Sequence, residues 1–518
     1  MSAASSSPSR SLRRNAVANV VGRSASVLLW VFVTPYVLAR LGQERFAVWS
    51  LFLGLGGNVA SLDLGMSNGV ARYVALATAR GDRDNLQLVL RRSLTISAGI
   101  GLLWSVACVV GSGLIVRMFH VPAVLESEVV SSLRVFAVSM FIYSITQVLN
   151  GALIGFQRLD LSNLCFLSGL ALHAAVLIAG LALGAGLVST ALAAIGGYAL
   201  NGLIAGFLVR RSARGIPVAE TTDRVTWHEM LHFGGAVQGT SACAMGQQQA
   251  WNYLLGILGQ LRWVTEFALG FRVANAVWSL PTLVQGAVIP AAAHASATGE
   301  LAPVRRVYDW SCRWIFALAG FALAGLWLSA PALVMLWLGP RHGATLTGAV
   351  AVTRMLAIAF AVATFSGPAT AVARGGGWPL LETWNFAAAL AINLGLSLWL
   401  VPRFGPAGAA AAMAISYGLA GAWLIATLHR ILGVPTLSWL LKLALPRFVI
   451  PAAIAVILWK FWPSAPPAGR IEALRIVAVQ GAVFAVLTAS LSWPTGDSAA
   501  LLSRLRGLRG GLAAEGAP

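Results

Sequence analysis

Residues 228–232 read HEMLH, the H-E-x-x-H pattern that on a helix turns two imidazoles toward one zinc ion and leaves a glutamate as general base. Such a centre needs a third ligand. No Asp or Glu motif follows on a later apolar segment, and His294 falls in an expected loop. The same five residues open an apolar segment, where amphipathic side chains are normal at a membrane surface. An intramembrane zinc metalloprotease using His228, Glu229 and His232 is thus the rival reading from the enzyme class; the expectation is a non-enzyme with no resident metal or cofactor.

A second set of residues matters because of its surroundings. A charge inside the hydrocarbon layer costs at least ~2.5 kcal/mol, so ionisable residues in apolar segments are functional candidates by default. Arg23, Asp63, Glu266 and Arg272 are the clearest of these. Arg23, Val27, Trp30 and Thr34 recur at helical spacing, as do Arg272, Asn275, Ser279 and Thr282. Neighbouring segments add Asn58, Ser61 and Asn68, then Gln238, Ser241, Met245, Gln248 or Gln249, and Asn252. Guanidinium forks bind anionic oxygens bidentately, and amides and hydroxyls both donate and accept hydrogen bonds. The candidate substrate-contacting residues are therefore Arg23, Trp30, Asn58, Gln238, Gln248, Asn252, Arg272, Asn275 and Ser279. The structural alternative for the same stripes is interhelical hydrogen bonding, with Arg23 snorkelling to the headgroups. Asp63 and Glu266 are candidates for ion coupling, although Glu266 follows Arg262 at the spacing of a helical ion pair and Asp63 lies in an LDLG turn pattern.

The elements that position these residues follow from composition. The chain is 58% hydrophobic and 10% charged, with mean hydropathy +0.78, which excludes an ordinary soluble domain. Apolar stretches of roughly 20 residues, enough to span about 30 Å of hydrocarbon, recur about fourteen times. They include 17–39, 46–69, 230–257, 263–290, 440–462 and 472–493. Unpaired backbone is not tolerated in lipid and these segments are too long for barrel strands, so an all-α polytopic membrane protein is expected. The longest extramembrane segments, near 70–92, 210–229 and 291–310, are too short for a domain. The net charge of +19 is spread through short loops, which argues against a nucleic-acid partner. With the N-terminus inside, even-numbered loops hold roughly 20 arginines and the opposite loops roughly 7, so both termini are expected in the cytoplasm. Cys108, Cys165, Cys243 and Cys312 stand apart and read as buried small residues. The Ser- and Arg-rich start reads as a cytoplasmic tail and not as a cleaved signal peptide. Spacings such as Gly65/Gly69, Gly151/Gly155, Gly180/Gly184, Gly202/Gly206 and Gly235/Gly239 read as helix packing.

Two echoes organise the chain. LGQERF at 41–46 is answered by LGQLRW at 258–263, and ATARGD at 77–82 by ASATGE at 295–300, in almost one register. The first pair follows spans one and seven, and the second follows spans two and eight. Six spans separate the copies, and an even number preserves orientation, so the halves read as parallel repeats that suit two lobes rocking about a central site. The expected organisation is a tail (1–16), two six-helix lobes (17–209 and 210–429), two additional helices (430–493) and a cytoplasmic tail (494–518).

TPYVLARLGQERFAVWSLFLGL (34–55), LDLGMSNGVARYVALATARGD (62–82), LNGALIGFQRLDLSN (149–163), VIPAAAHASATGE (288–300) and VPRFGPAGAAAAMAISYG (401–418) together resemble the polysaccharide or O-antigen flippases of the multidrug/oligosaccharidyl-lipid/polysaccharide exporter superfamily. The resemblance covers most of spans one to twelve. It implies alternating-access transfer of a polyprenyl-diphosphate-linked oligosaccharide across a bacterial cytoplasmic membrane, for polysaccharide biosynthesis. It implies as partners that glycan, membrane lipids, and a polysaccharide polymerase and export machinery. The related flippase of peptidoglycan synthesis carries an arginine in its eighth helix, which Arg272 of GFRVANAV matches; its first-helix arginine matches Arg23 loosely, at a different spacing from the LG motif. Drug-exporting relatives often place an acidic residue in the first helix, and this chain has none between Arg14 and Glu44. A cation-coupled multidrug exporter of the same superfamily is the alternative within the resemblance. A membrane glycosyltransferase or sugar polymerase would call for a sizeable polar loop, which is missing here.

The topology is directly testable. Reporter fusions after residues 80, 220 and 300 should read as cytoplasmic, and those after 122, 342 and 467 as periplasmic. One clear inversion among the first twelve spans would overturn the parallel-repeat reading.

Overall fold

The computed structural model describes residues 8–61, 66–214, 227–297, 299–340, 343–461 and 467–492. Every regular element among them is helical: α1 (Pro8–Ser61), α2 (Met66–Arg80), α3 (Arg83–Met118), α4 (Ala123–Gly155), α5 (Leu159–Ala182), α6 (Gly186–Ala213), α7 (Trp227–Leu258), α8 (Leu261–Ser296), α9 (Leu301–Leu338), α10 (Gly343–Gly375), α11 (Pro379–Phe404) and α12 (Pro406–Leu432). Then α13 (Thr436–Trp439) runs through a π-helical turn (Leu440–Ala444) into α14 (Leu445–Phe461), and α15 (Arg470–Ser492) follows. Eleven helices among the described residues are long and apolar enough to cross a membrane. Expected span one and residues 46–61 of expected span two share α1, which is split at Gly42, residues 66–69 belong to α2, and span seven lies in α7. Broad exposed apolar faces, such as Leu103, Val110 and Leu114 on α3, are what a lipid-facing helix presents.

Both sequence echoes are corners. In the first, Gly42 adopts φ 74°, ψ 178°, a conformation that only glycine takes without strain, and it splits α1. Arg45 of this corner donates from Nε to Glu128 Oε2 at 2.8 Å, and Glu128 Oε1 accepts the Leu187 N–H at 3.1 Å. Thr265, just past the second LGQ, donates to the Gln43 carbonyl at 2.6 Å. The two LGQ corners therefore lie at the same end of the helices, as an even number of crossings between them requires. In the other pair, Gly81 (φ 67°) and Gly299 (φ 74°) each end a helix. The acid that follows starts the next one, and Asp82 caps α3 by accepting the Asn85 N–H at 2.9 Å.

The segments 70–92 and 291–310, expected as loops, are instead mostly helix: α2 and α3 are joined by Gly81 and Asp82, and α8 continues to Ser296. Arg80 and Glu300 stand at helix ends, whereas Arg72, Arg91, Arg92, Arg305 and Arg306 lie within helices, so polar composition there does not stop a helix.

Two compact units emerge, 1–268 with 390–409, and 269–389 with 410–518. The partition differs from the expected lobe boundary at 210, because α7 and the first turns of α8 pack with the first unit. In the first unit, Val70, Val74, Leu86, Val89, Leu153, Cys165 and Ala205 draw α2 to α6 around one core. In the second, Tyr308, Phe316, Val372, Leu424, Leu428 and Trp439 form the core of α9, α10, α12 and α13. Cys108, Cys165 and Cys312 are buried, Cys243 is half-buried, and all four are free thiols.

The glycine spacings divide by function. A Cβ at Gly155 would lie 2.6 Å from the Ala71 carbonyl oxygen, and one at Gly202 would lie 2.7 Å from Thr146 Oγ1, so both mark close helix approach. A Cβ at Gly69 or Gly239 would meet open space. Gly155→Ala should therefore destabilise the protein by about 1–3 kcal/mol through overpacking of α4 on α2. Gly99→Ala on α3, where a Cβ meets nothing within 4 Å, should be neutral or stabilising by up to about 1 kcal/mol. Thermal unfolding in detergent separates the two; equal effects would sink the packing account.

Candidate functional site

Trp30 is half-buried on α1, its ring 5.8 Å from Trp49 and 5.6 Å, edge-on, from His173 of α5. Thr34, fully buried one turn on, donates to the Trp30 carbonyl at 2.6 Å. These contacts join the two halves of α1 to α5. Trp30 is thus a packing element of its unit as well as a candidate contact. The side chains of Arg23, Asn58, Asn68, Gln238 and Ser241 lie outside the described residues, as does Asp63 altogether.

Helix α7 distributes its amides according to azimuth. Asn252 is buried and donates from Nδ2 to the Ser50 carbonyl at 2.9 Å, which commits this amide to holding α7 on α1. Gln247 is fully buried; its Oε1 accepts from Asn393 Nδ2 at 3.1 Å, and Asn393 Oδ1 accepts from Ser397 at 3.1 Å. The sequence points to Gln248 or Gln249 and gives no sign of this Gln247–Asn393–Ser397 chain. Those two are exposed and half-buried respectively. The His228, Glu229 and His232 side chains lie outside the described residues; among the described residues no group of three His, Cys, Asp or Glu could hold a metal ion.

In the second unit, α8 presents Arg272, Asn275, Ser279 and Thr282, all half-buried. The hydroxyls of Ser279 and Thr282 bond back to their own helix, to Ala276 and Ser279 carbonyls at 2.6 and 2.7 Å. The adjacent face packs on α10: Trp278 stacks on Phe360 with centroids 4.6 Å apart and donates to Thr364 Oγ1 at 3.2 Å. A Cβ at Gly270 would lie 2.7 Å from Val352, so α8 and α10 run close together there. That packing fixes the rotation of α8. The stripe offers one guanidinium, an amide and two hydroxyls along one helix, a set suited to an anionic, hydroxyl-bearing ligand.

Glu266 is buried and accepts from Arg262 Nε at 2.8 Å. Its carboxylate is thereby occupied by the partner that the i, i+4 spacing announced. Two further arginines within apolar segments were passed over in the sequence although each breaks an apolar window: Arg134 of α4, whose Nε reaches Ser112 Oγ at 3.4 Å, and Arg354 of α10, whose Nε donates to the Trp327 carbonyl at 3.1 Å.

The model of the MatE family matches residues 20–179. An uncharacterized membrane protein, EpsK of Bacillus subtilis, is 28% identical over 115 residues; the match spans 22% of this chain and 23% of that protein. Among solved structures, an inward-facing multidrug resistance MATE family transporter of the MOP superfamily superposes with TM-score 0.67 at 16% identity, covering 81% of this chain and 99% of its own. A MOP superfamily transporter from Pyrococcus furiosus, described as having a binding pocket of reversed polarity that suggests a different function, superposes with TM-score 0.59 at 17% identity, covering 83% and 96%. The fold is that of the MATE transporters.

If Glu266 serves Arg262 and not a transported ion, the two should be energetically coupled. In a double-mutant cycle of Arg262→Gln and Glu266→Gln followed by thermal unfolding, a coupling of about 0.3–1 kcal/mol is expected. Strict additivity would return Glu266 to the ion-coupling candidates.

Proposed function

We propose that this MATE-fold chain is a transporter, not an enzyme, and that it flips a polyprenyl-diphosphate-linked oligosaccharide across the bacterial cytoplasmic membrane by alternating access. Arg272 carries the reading. It is a half-buried cation on a membrane-spanning helix, continued on the same helix by Asn275 and Ser279. An intramembrane guanidinium favours an anionic cargo and disfavours a cationic one, and diphosphate oxygens match its planar fork. Amide and hydroxyl groups along the stripe suit the first sugar. Arg23, Trp30, Asn58, Gln238, Gln248 and Asn252 complete the proposed contact set, and Asp63 remains a proposed coupling residue. The 17–209 and 210–429 lobes are proposed as the moving parts, both termini as cytoplasmic, and a polymerase with its export machinery as the downstream partner.

A second reading, a cation-coupled multidrug exporter, is favoured by the MatE match over residues 20–179 and by the multidrug transporters among the structural relatives. The fold alone does not choose between them, because pocket polarity is set by individual side chains on a shared scaffold.

Purified protein in vesicles containing a fluorescent polyprenyl-diphosphate sugar should speed its exposure to the opposite leaflet. Arg272→Ala should slow this about 10- to 100-fold, the loss of a hydrogen bond to a charged group. Arg272→Lys keeps the charge without the fork and should fall between the two. Normal flipping by well-inserted Arg272→Ala, or drug efflux without any lipid flipping, would reject the proposal in favour of the exporter.

A further inference from the structure

Within the second unit, α9, α10 and α14 enclose a groove of about 320 Å³ lined by apolar residues alone, among them Leu323, Trp327, Ala357, Ala361, Phe448 and Ala452. Gly320 permits it: a Cβ there would collide with the Arg447 carbonyl, so α9 and α14 meet backbone to backbone at that end. Ile358 and Val456 on its walls are 56% and 50% exposed, so the groove opens on the surface that faces the membrane.

One end carries a charge. Arg354 precedes Ala357, Ile358 and Ala361 by three, four and seven residues, which places it on the helix face that lines the groove. Its Nε is held by the Trp327 carbonyl at 3.1 Å, and its guanidinium carbon lies 4.9 Å from the centre of the Trp327 ring. No carboxylate among the described residues pairs with it. Trp459, two residues before the end of α14, packs edge-on against Trp327 at 5.7 Å. Tryptophan at the end of a membrane helix marks the headgroup level, and a long arginine side chain reaches there from slightly deeper. The arrangement is an apolar slot beneath an anchored guanidinium, with its remaining N–H groups available.

We propose that this groove is a binding site for an anionic membrane phospholipid, with one acyl chain in the slot and its phosphate on Arg354. The sign of the charge selects an anionic headgroup. The opening toward the membrane surface selects a lipid that diffuses in the bilayer, not a soluble anion. The site is independent of the Arg272 stripe and of the cargo.

The test uses full-length protein in vesicles containing phosphatidylglycerol or phosphatidylcholine with brominated acyl chains, and takes the Trp327 signal as the difference between wild type and Trp327→Phe. Brominated phosphatidylglycerol should quench Trp327 about fivefold more effectively than brominated phosphatidylcholine, the preference expected of one cationic contact. Arg354→Gln should abolish that preference and Arg354→Lys should retain it. Ala357→Trp, which fills the slot, should protect Trp327 from both lipids. Equal quenching by the two lipids in wild type would overturn the proposal. So would displacement of the brominated phosphatidylglycerol by a trace of polyprenyl phosphate, which would make the groove a cargo-tail site.

Discussion

A peptide group without a hydrogen-bond partner costs several kcal/mol in hydrocarbon, and for a chain this apolar that constraint leaves only the helix. Everything else is arranged around the places where helices must stop. The corners at Gly42 and Gly81 supply backbone geometry that other residues reach only with strain, and polar side chains close the exposed groups: Asp82 caps α3, while Glu128 accepts both Arg45 and the Leu187 amide in the first turn of α6. The hydrogen bond from Thr265 to the Gln43 carbonyl ties two corners that the sequence wrote in nearly the same letters.

Once the backbone is satisfied internally, polar side chains inside the spans have two uses. Some hold helices together: Asn252 on the Ser50 carbonyl, the Gln247–Asn393–Ser397 chain, and Tyr308 on His429 at 2.9 Å with His429 on Thr436 at 2.9 Å. These residues make specific bonds in a medium where no water competes. Others lie next to an aromatic packing contact. The Arg272 stripe is held in rotation by Trp278 and Phe271 against Phe360, and Arg354 is held by Trp327 above an apolar slot.

The proposed cargo and the fold rest on different kinds of support. A likeness of 16% identity fixes helix number and connectivity, which depend on hydrophobic periodicity, and leaves pocket polarity open, which depends on a few side chains. The sign of the charge on α8 is therefore the discriminating observation, and it lives on a single residue.

Much of the fold was legible in the chain itself. Apolar length gave the crossings, the lipid constraint made them helices, the paired motifs gave the corners, and the Arg262–Glu266 spacing gave its ion pair. These are local properties, set within one or two helical turns. The loops expected at 70–92 and 291–310 show where local reading slips, since charged composition does not end a helix that has left the membrane. The azimuth of each helix was decided only by tertiary structure. Of three consecutive glutamines, Gln247 turned inward because Asn393, on a helix far along the chain, was there to meet it. Asn252 became a strut because α1 passes beside it, and Arg354 acquired an apolar slot because Gly320 lets α14 close on α9. Such outcomes depend on which distant helix supplies the neighbouring surface, and periodicity within a single segment carries no information about that.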